Sequence, residues 1–253
     1  MDNILISGAA SGIGAATARL FHARGWRVGL LDIDAKALAA LAAELGGVWH
    51  AELDVVDGGA VKAALADFCA LHDGQLRLLF NGAGILRTGA FETIELEQHA
   101  RLLQINLLGV LNLSHAAFPY LKATPGAQVI NMGSASAVYG VPQLASYSAS
   151  KFAVRGLTEA LELEWRAHGI RVGDLMPPFV NTPMVASQGE PPPVMRRLGV
   201  RLQAGQVAEA AWQQAQGAAV HRPVGLQFRL LYALGQITPG WINRAIMAWL
   251  SRS

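Results

Sequence analysis

The sequence predicts an α/β fold in which a doubly wound parallel sheet of about seven strands carries helices on both faces. Short β-rich runs alternate along the chain with longer segments of helical period, and this alternation is typical of such a sheet. Most of the runs are short and largely apolar, as expected for strands that are buried on both sides. At 253 residues, with 52% hydrophobic and 15% charged residues, the chain is long enough for one domain and too apolar for a disordered one.

The strands are predicted from runs of aliphatic and β-branched residues. Six are clear and a seventh is plausible: Asn3–Ser7, Arg27–Asp32, Val48–Leu53, Leu76–Asn81, Gln128–Met132, Ile170–Met176 and, last, the stretch near Ala218–Pro223. Helices are predicted between them at Gly14–Arg24, Ala35–Leu45, Gly58–Leu71, Leu96–Leu121 and Ser150–His168. We therefore expect residues 1–225 to form one nucleotide-binding domain, followed by a tail over residues 226–253.

The tail is strongly apolar, and Pro239-Gly240 splits it into two predicted short amphipathic helices. Its longest uncharged run, Leu230–Asn243, is shorter than the roughly 20 residues that a membrane span requires. From Val185 onward, seven arginines and two glutamates give a net charge of +5. The sequence leaves open whether the tail packs on the domain, on a partner subunit or peripherally on a membrane surface.

Several classes of site are disfavoured by composition. The single cysteine, Cys69, excludes an internal disulfide and a multi-cysteine zinc site, and the seven histidines show no metal-binding spacing, so we expect no metal. The arginines are mostly isolated, so we expect no nucleic-acid partner. The chain passes from Met1 directly into a strand without the pattern of a signal peptide, so we expect a cytoplasmic protein.

A glycine-rich segment, Ser7-Gly8-Ala9-Ala10-Ser11-Gly12-Ile13-Gly14, follows the first strand and opens the first helix. Glycines allow a sharp turn and let a pyrophosphate approach the backbone amides at the helix N-terminus, where the helix dipole favours an anion. A glycine trio alone often means only a tight turn. The order of strand, glycines and helix favours a dinucleotide-binding loop here.

Asp32 ends the second predicted strand, about 20 residues after the glycines. A carboxylate there can accept both hydroxyls of an adenosine ribose and would repel a 2′-phosphate. Ile33 follows it, and the glycine loop contains no basic residue. NAD is therefore expected rather than NADP, with helix capping by Asp32 as the alternative.

Tyr147 and Lys151 are spaced by four residues at the start of a predicted helix, which places them on one helix face. A tyrosine of pKa about 10 is a poor base at neutral pH. A neighbouring ammonium is expected to lower that pKa by stabilising the phenolate. In isolation, the same pair would more often lie on a protein surface.

Over residues 3–185 the chain resembles the short single-domain branch of the short-chain dehydrogenase/reductase family, which has a Rossmann-type fold. The Gly8-x3-Gly12-x-Gly14 loop and Tyr147-x3-Lys151 match its two best-known motifs. Further matches are Asp54-Val55, Asn81-Gly82-Ala83-Gly84, Asn106 and Ser134. The helix and strand expected over residues 206–225 match more loosely.

The resemblance implies a catalytic tetrad. Tyr147 would exchange the hydroxyl proton, Ser134 would hydrogen-bond the substrate oxygen, and Lys151 would orient the nicotinamide ribose and support the phenolate. Asn106 would hold a water that passes protons from Lys151 to solvent. Ser134 as a strand-end cap and Asn106 as a helix–helix hydrogen bond remain the alternatives.

The same resemblance implies the cofactor contacts, in which Asp54 would meet the adenine amino group. The expected contacts are Gly8, Ser11, Gly12, Ile13, Gly14, Asp32, Asp54, Val55, Asn81, Ala83, Gly84, Tyr147, Lys151, Pro177, Val180 and Thr182.

The chain departs from the family pattern at three places. Ser7 stands for the usual threonine but keeps a hydroxyl for the same loop bond, and Gly82 replaces an asparagine. Pro177-Pro178 replaces Pro-Gly, so Pro178-Phe179 is interpreted as shaping the substrate pocket.

Positions that line substrate in this family are largely apolar in this chain, so we expect a large hydrophobic substrate such as a fatty, steroid-like, terpenoid or aromatic alcohol and its ketone or aldehyde. The expected substrate contacts are Ser134, Val141, Leu144, Tyr147, Phe179 and Met184. Simple membership of the core is the alternative for the apolar ones.

The resemblance further implies a homodimer or homotetramer. It leaves open a non-catalytic dinucleotide sensor, and a lyase or epimerase that uses bound NAD internally. An intact glycine loop, Asp32 and tetrad favour net redox chemistry.

Overall fold

The computed structural model describes residues 1–252 and contains the predicted parallel sheet. Its strands, in chain order, are β1 (Asn3–Ser7), β2 (Arg27–Asp32), β3 (His50–Glu52), β4 (Leu78–Asn81), β5 (Gln128–Met132), β6 (Arg171–Met176), β7 (Val180–Asn181), β8 (Leu202–Gln203) and β9 (His221–Pro223). Seven of them form one sheet in the order β3-β2-β1-β4-β5-β6-β9, with every neighbouring pair parallel. Strands β7 and β8 form a separate short pair. The doubly wound, Rossmann-type sheet is thus confirmed.

Helices follow the strands in chain order. They are α1 (Gly12–Ala23), α2 (Ala35–Glu44), α3 (Gly58–Ala70), α4 (Leu96–Leu103), α5 (Gly109–Lys122), α6 (Ala145–Arg166), α7 (Pro183–Ala186), α8 (Pro193–Leu198), α9 (Ala204–Gln216), α10 (Leu226–Ile237) and α11 (Gly240–Leu250). The split of the tail at Pro239 matches the predicted pair of short helices. The range Ser187–Ala204 contains α8 and β8.

Two apolar cores cover the two faces of the sheet. On one face, Phe21 of α1, Leu38 of α2 and Val207 of α9 pack against Ile4 and Ile6 of β1. On the other face, Leu65 of α3 and Leu113 of α5 pack against Leu5, Leu79 and Val129. Because both faces of β1 are covered, all five of its residues are buried, and its three central residues, Ile4–Ile6, are all apolar.

Some predicted boundaries are wrong. The helix expected over Leu96–Leu121 is interrupted by a π-helical turn at Gln104–Leu108, between α4 and α5. Such turns insert one extra residue and rotate the side chains that follow. Gly109, the first residue of α5, packs against the loop that follows β3. A Cβ atom on Gly109 would stand 2.5 Å from Cγ2 of Val55, so only glycine lets α5 lie this close to that loop.

Other helix and strand boundaries differ from the predicted ones by a few residues. Helix α6 begins at Ala145 rather than Ser150, so Tyr147 already lies in its first turn. Helix α1 begins at Gly12 rather than Gly14, and β3 is only three residues long. None of the helices formed within residues 1–252 combines the length and apolar character needed to cross a bilayer.

Close packing at Gly29 of β2 generates a stability prediction. An added Cβ atom would lie 2.5 Å from Cε2 of Phe68 and 2.8 Å from Cδ1 of Leu5. We therefore expect Gly29→Ala to lower the free energy of unfolding by about 1–3 kcal/mol. Gly156→Ala, in the interior of α6 with no atom within 4 Å of the new methyl group, is the control. It should raise the same quantity by up to about 1 kcal/mol. Urea denaturation measures both, and equal effects would contradict the packing described.

Candidate active site

A cavity of about 900 Å³ opens at the carboxyl ends of the strands. Strand order reverses between β1 and β4, and a crevice forms at such a point because the connections leave in opposite directions. Every predicted site residue lines this cavity except Asn81 and Asn106. The topology of the sheet therefore brings together residues that are more than 150 positions apart in the chain.

The glycine loop forms one wall of the cavity. Its backbone lies so close to neighbouring backbone segments that side chains would not fit at Gly8 and Gly14. At Gly14 a Cβ atom would stand 2.0 Å from the carbonyl oxygen of Gly8, so α1 can only start this near the loop with glycine. Gly8 has φ of +70° and would place a Cβ atom 2.8 Å from the backbone of Ala83. The Ser7 hydroxyl accepts hydrogen bonds from the amides of Gly82 (3.1 Å) and Ala83 (3.3 Å), as expected for the loop bond.

Asp32 lies at the end of β2 beside the glycine loop. Its Oδ2 accepts a hydrogen bond from the amide of Ala10 at 2.9 Å, and its Oδ1 accepts one from the amide of Asp34 at 3.1 Å. The N-cap of α2 is Asp34, whose side chain accepts from the amide of Ala37. The alternative of Asp32 as the helix cap is therefore wrong, and its carboxylate remains on the cavity wall.

Asp54 meets a partner that the sequence did not indicate. Its Oδ2 accepts a hydrogen bond from Arg101 of α4 at 2.7 Å, and its Oδ1 accepts one from the amide of Val56. These bonds, led by that of Arg101, hold the pKa of the carboxyl below its ordinary value. Both side chains line the cavity, so this part of its wall presents an ion pair rather than a lone carboxylate.

Tyr147, Lys151 and Ser134 meet at the base of the cavity. Helix α6 projects Tyr147 and Lys151 from consecutive turns of one face, and the Lys151 ammonium lies 5.5 Å from the centre of the Tyr147 ring. Lys151 is buried and donates a hydrogen bond to the carbonyl of Met132 at 2.8 Å. Ser134 follows β5, and its hydroxyl caps the short turn at Ala135–Ala137 by accepting from the amide of Ser136. Ser134 therefore caps this turn, as the alternative predicted, and also lines the cavity.

Burial controls the proton affinities of this group. It raises the pKa of the Tyr147 phenol above its ordinary value, and a hydrogen bond with Ser134 only partly opposes this. The lowering of this pKa that was expected from Lys151 is therefore wrong. Burial also lowers the pKa of Lys151 to about 8, against the attraction of the buried Asp174 carboxylate. At neutral pH both groups consequently carry their protons.

Asn106 lies in the π-helical turn and is fully buried beneath the cavity. Its Oδ1 accepts from the amide of Ile85 at 2.8 Å, while its Nδ2 donates to the Ile85 carbonyl at 3.0 Å and to the Ser150 hydroxyl at 3.2 Å. The side chain thus joins the π turn to α6 and fixes the loop after β4. The bond to Ser150 bears out the helix–helix alternative for the side chain, and the water expected at Asn106 stays a prediction.

Asn81 points away from the cavity, contrary to the expected cofactor contact. Its Nδ2 donates to Oδ1 of Asn131 at 2.8 Å and to the Ser114 hydroxyl at 3.1 Å. Asn131 in turn donates to the hydroxyl of Thr158 on α6 at 2.9 Å. This buried series of hydrogen bonds links β4 and β5 to α6 and so positions the helix that carries Tyr147 and Lys151.

The remainder of the cavity is apolar. Leu86, Val141, Leu144 and Val194 form a buried cluster against Tyr147 and Phe179, and the predicted substrate residue Met184 also lines this part. The far wall consists of α8, α10 and α11, including Met247 and Leu250. The tail helices therefore pack on the domain beside Tyr147, while contacts of the tail with a partner subunit or a membrane surface stay predictions.

The cavity suits a nicotinamide dinucleotide. At its glycines, the wall formed by the glycine loop has no side chains to fill the space, so a pyrophosphate can approach the backbone. Asp32 and Lys151 also line the cavity. Residues 1–252 contain no group of three or more His, Cys, Asp or Glu side chains placed to share a metal ion.

Comparisons with known proteins agree with this geometry. The family model described as short chain dehydrogenase matches residues 2–192. The D-threitol dehydrogenase of Mycolicibacterium smegmatis is 37% identical over 182 residues, 70% of either chain. The 3-alpha-(or 20-beta)-hydroxysteroid dehydrogenase of Mycobacterium bovis is 38% identical over 183 residues, 71% of this chain and 69% of that one.

Among solved structures, a short chain dehydrogenase/reductase from Burkholderia phymatum in complex with NAD aligns with a TM-score of 0.82 and 26% identity, covering 93% of this chain and 92% of that one. The match of the family model, the sheet order and the meeting of Ser134, Tyr147 and Lys151 all lead to one assignment. The chain belongs to the short-chain dehydrogenase family.

Proposed function

We propose that this protein is an NAD-dependent oxidoreductase that interconverts a hydrophobic alcohol and its ketone or aldehyde. The observation that carries the proposal is that the half-buried Tyr147 lies with Ser134 and Lys151 on the lining of the cavity that also contains the glycine loop. Residues 1–225 would bind the dinucleotide and carry the chemistry. Residues 226–253 would close the substrate side.

When bound, the nicotinamide ring supplies a hydride to the carbonyl carbon or accepts one from the alcohol carbon. In the direction of reduction, the Tyr147 phenol gives its proton to the carbonyl oxygen, and the Ser134 hydroxyl donates a hydrogen bond to that oxygen as negative charge develops. The positive charge of Lys151 then stabilises the tyrosinate that remains. In oxidation, the same groups work in reverse order.

The choice of NAD rests on Asp32. A 2′-phosphate would meet its carboxylate at the end of β2, and like charges at short range repel. Arg101, a basic residue on the adenine side of the cavity, is already paired with Asp54. The solved Burkholderia relative binds NAD, in keeping with this assignment.

The choice of a hydrophobic substrate rests on the lining of the cavity. Leu86, Val141, Leu144 and Phe179 surround the space in front of Tyr147, and such walls favour apolar ligands. The similarity to a hydroxysteroid dehydrogenase supports this choice. The similarity to a threitol dehydrogenase favours a small polyol instead, so a substrate panel must include both classes.

Removing the hydroxyl of Tyr147 tests its role as acid and base. We expect Tyr147→Phe to lower kcat for ketone reduction by about a thousandfold, because the proton donor is lost while the ring remains. NADH binding, followed by fluorescence, should persist. Tyr120→Phe, on α5 away from the cavity, is the control and should keep normal turnover. Substantial activity in Tyr147→Phe would remove this residue from the mechanism.

Asp32→Ala tests the cofactor assignment. Without the carboxylate, we expect the ratio of kcat/KM for NAD to that for NADP to fall by at least about tenfold, since the repulsion is gone. Asp34→Ala is the matched control: it deletes the α2 cap, costing about 1 kcal/mol of stability, and should leave the cofactor ratio unchanged. If both variants keep the original ratio, Asp32 does not select the cofactor.

The lowered pKa of Lys151 predicts the pH dependence of ketone reduction. The ammonium loses its proton as the pH rises through about 8, whereas the raised pKa of Tyr147 keeps the phenol protonated there. We expect kcat to be constant near pH 6–7 and to decline above pH 8 as the charge that supports tyrosinate disappears. Lys151→Arg, which stays charged, should abolish that decline in its residual activity. A flat wild-type profile up to pH 9 would contradict this account.

A further inference from the structure

Helices α10 and α11 present two different faces. One face of each lines the catalytic cavity, through Phe228 and Tyr232 of α10 and through Met247 and Leu250 of α11. These residues are spaced by four and by three positions, so each pair lies on one side of its helix. The helices therefore form a wall with the cavity on one side, and their opposite side faces outward.

The outward side of this wall is strongly apolar. Leu230, Ile237, Trp241 and Trp249 lie outside the cavity and are respectively 60%, 81%, 73% and 59% exposed. Scattered apolar residues are ordinary on protein surfaces, but four large ones on two adjoining helices form a patch of the kind that marks an interaction site.

The charged side chains of the tail itself have a single sign. No aspartate or glutamate occurs after Glu209. On the tail itself, Arg229, Arg244 and Arg252 are exposed, and none of the three forms a salt bridge within residues 1–252. The patch therefore combines bulky apolar groups with uncompensated positive charge.

We propose that the outer face of α10 and α11 docks on the surface of an anionic lipid bilayer. Short helices with an apolar face, tryptophans and arginines lie in the plane of the interface, with their apolar side chains among the upper acyl chains. Tryptophan rings favour the headgroup level, and arginines there pair with lipid phosphates. Arg197 of α8 holds Trp249 in this position. The Cζ atom of Arg197 lies 5.1 Å from the centre of the Trp249 ring, and its guanidinium donates a hydrogen bond to the Trp249 carbonyl.

A second copy of the chain fits this face less well. In a two-fold interface the same patch meets itself, so the arginines of one tail would face those of the other. Neither tail contains a carboxylate side chain to pair with them. An anionic bilayer supplies the missing negative charge, and a second copy does not.

Docking in this orientation places the cavity wall directly on the lipid. An apolar substrate dissolved in the acyl chains would then reach Tyr147 by passing between α10 and α11 instead of crossing water. This consequence rests on the proposed function, whereas the docking itself does not.

Vesicle flotation of the full-length protein tests the proposal. We expect the protein to float with vesicles of equal parts phosphatidylcholine and phosphatidylglycerol, and to bind pure phosphatidylcholine at least about tenfold more weakly. Raising the salt concentration should release it from the anionic vesicles. Absence of binding to the anionic vesicles would overturn the proposal.

The variant Ile237→Ser with Trp241→Ser removes two large side chains from the outer face without touching the cavity lining. It should need about tenfold or more lipid for the same bound fraction. The control, Leu71→Ser with Leu163→Ser, removes two exposed leucines at the end of α3 and on α6, and should bind as the wild type does. Equal binding by both double variants would contradict the assigned face.

Two further readouts separate the alternatives. If light scattering shows that Ile237→Ser with Trp241→Ser splits a larger assembly, a second copy covers the face and the lipid proposal is wrong. Turnover of a dissolved apolar ketone by the same preparations reports on the proposed function alone. Its absence in the wild type would remove that function while leaving the vesicle result intact.

Discussion

The burial of one ammonium group, that of Lys151, constrains the arrangement of the whole site. A charge removed from water is costly unless polar groups replace its hydration, and the fall of its pKa to about 8 reflects that cost. The carbonyl of Met132 and the nearby Asp174 carboxylate offset part of it. In the proposed mechanism this charge supports proton transfer at Tyr147, which requires the surrounding structure to hold α6 firmly against β5 and β6.

That support comes from polar contacts beneath the cavity rather than from its walls. Asn81, Asn131 and Thr158 form a buried chain of hydrogen bonds from β4 to α6, and Asn106 binds α6 from the other side through Ser150. Buried amides without partners would destabilise the fold, so these contacts also fix the register between sheet and helix. The arrangement of Tyr147 and Lys151 is thus held by residues that lie outside the cavity lining.

Much of the fold and part of the site were predictable from the periodicity of the sequence and from short-range spacing. The alternation of strands and helices, the glycine loop and the four-residue step from Tyr147 to Lys151 are local patterns, and each appears in the structure as expected. Long-range choices were not predictable. The pairing of Arg101 with Asp54 joins residues 47 positions apart, and the inward turn of Asn81 depends on Asn131 of the next strand. The higher pKa of Tyr147 follows from burial, which a sequence does not display.

The central claim is that this cavity transfers a hydride to a carbonyl carbon while Tyr147 supplies the proton. The most direct measurement incubates the wild-type protein with NADH deuterated at C4 and a bulky apolar ketone, and follows the product alcohol by mass spectrometry. The account predicts an alcohol one mass unit heavier than that formed from unlabelled NADH, with deuterium at the former carbonyl carbon. Bound NADH without any labelled alcohol, across apolar ketones and polyol-derived ones alike, would contradict it.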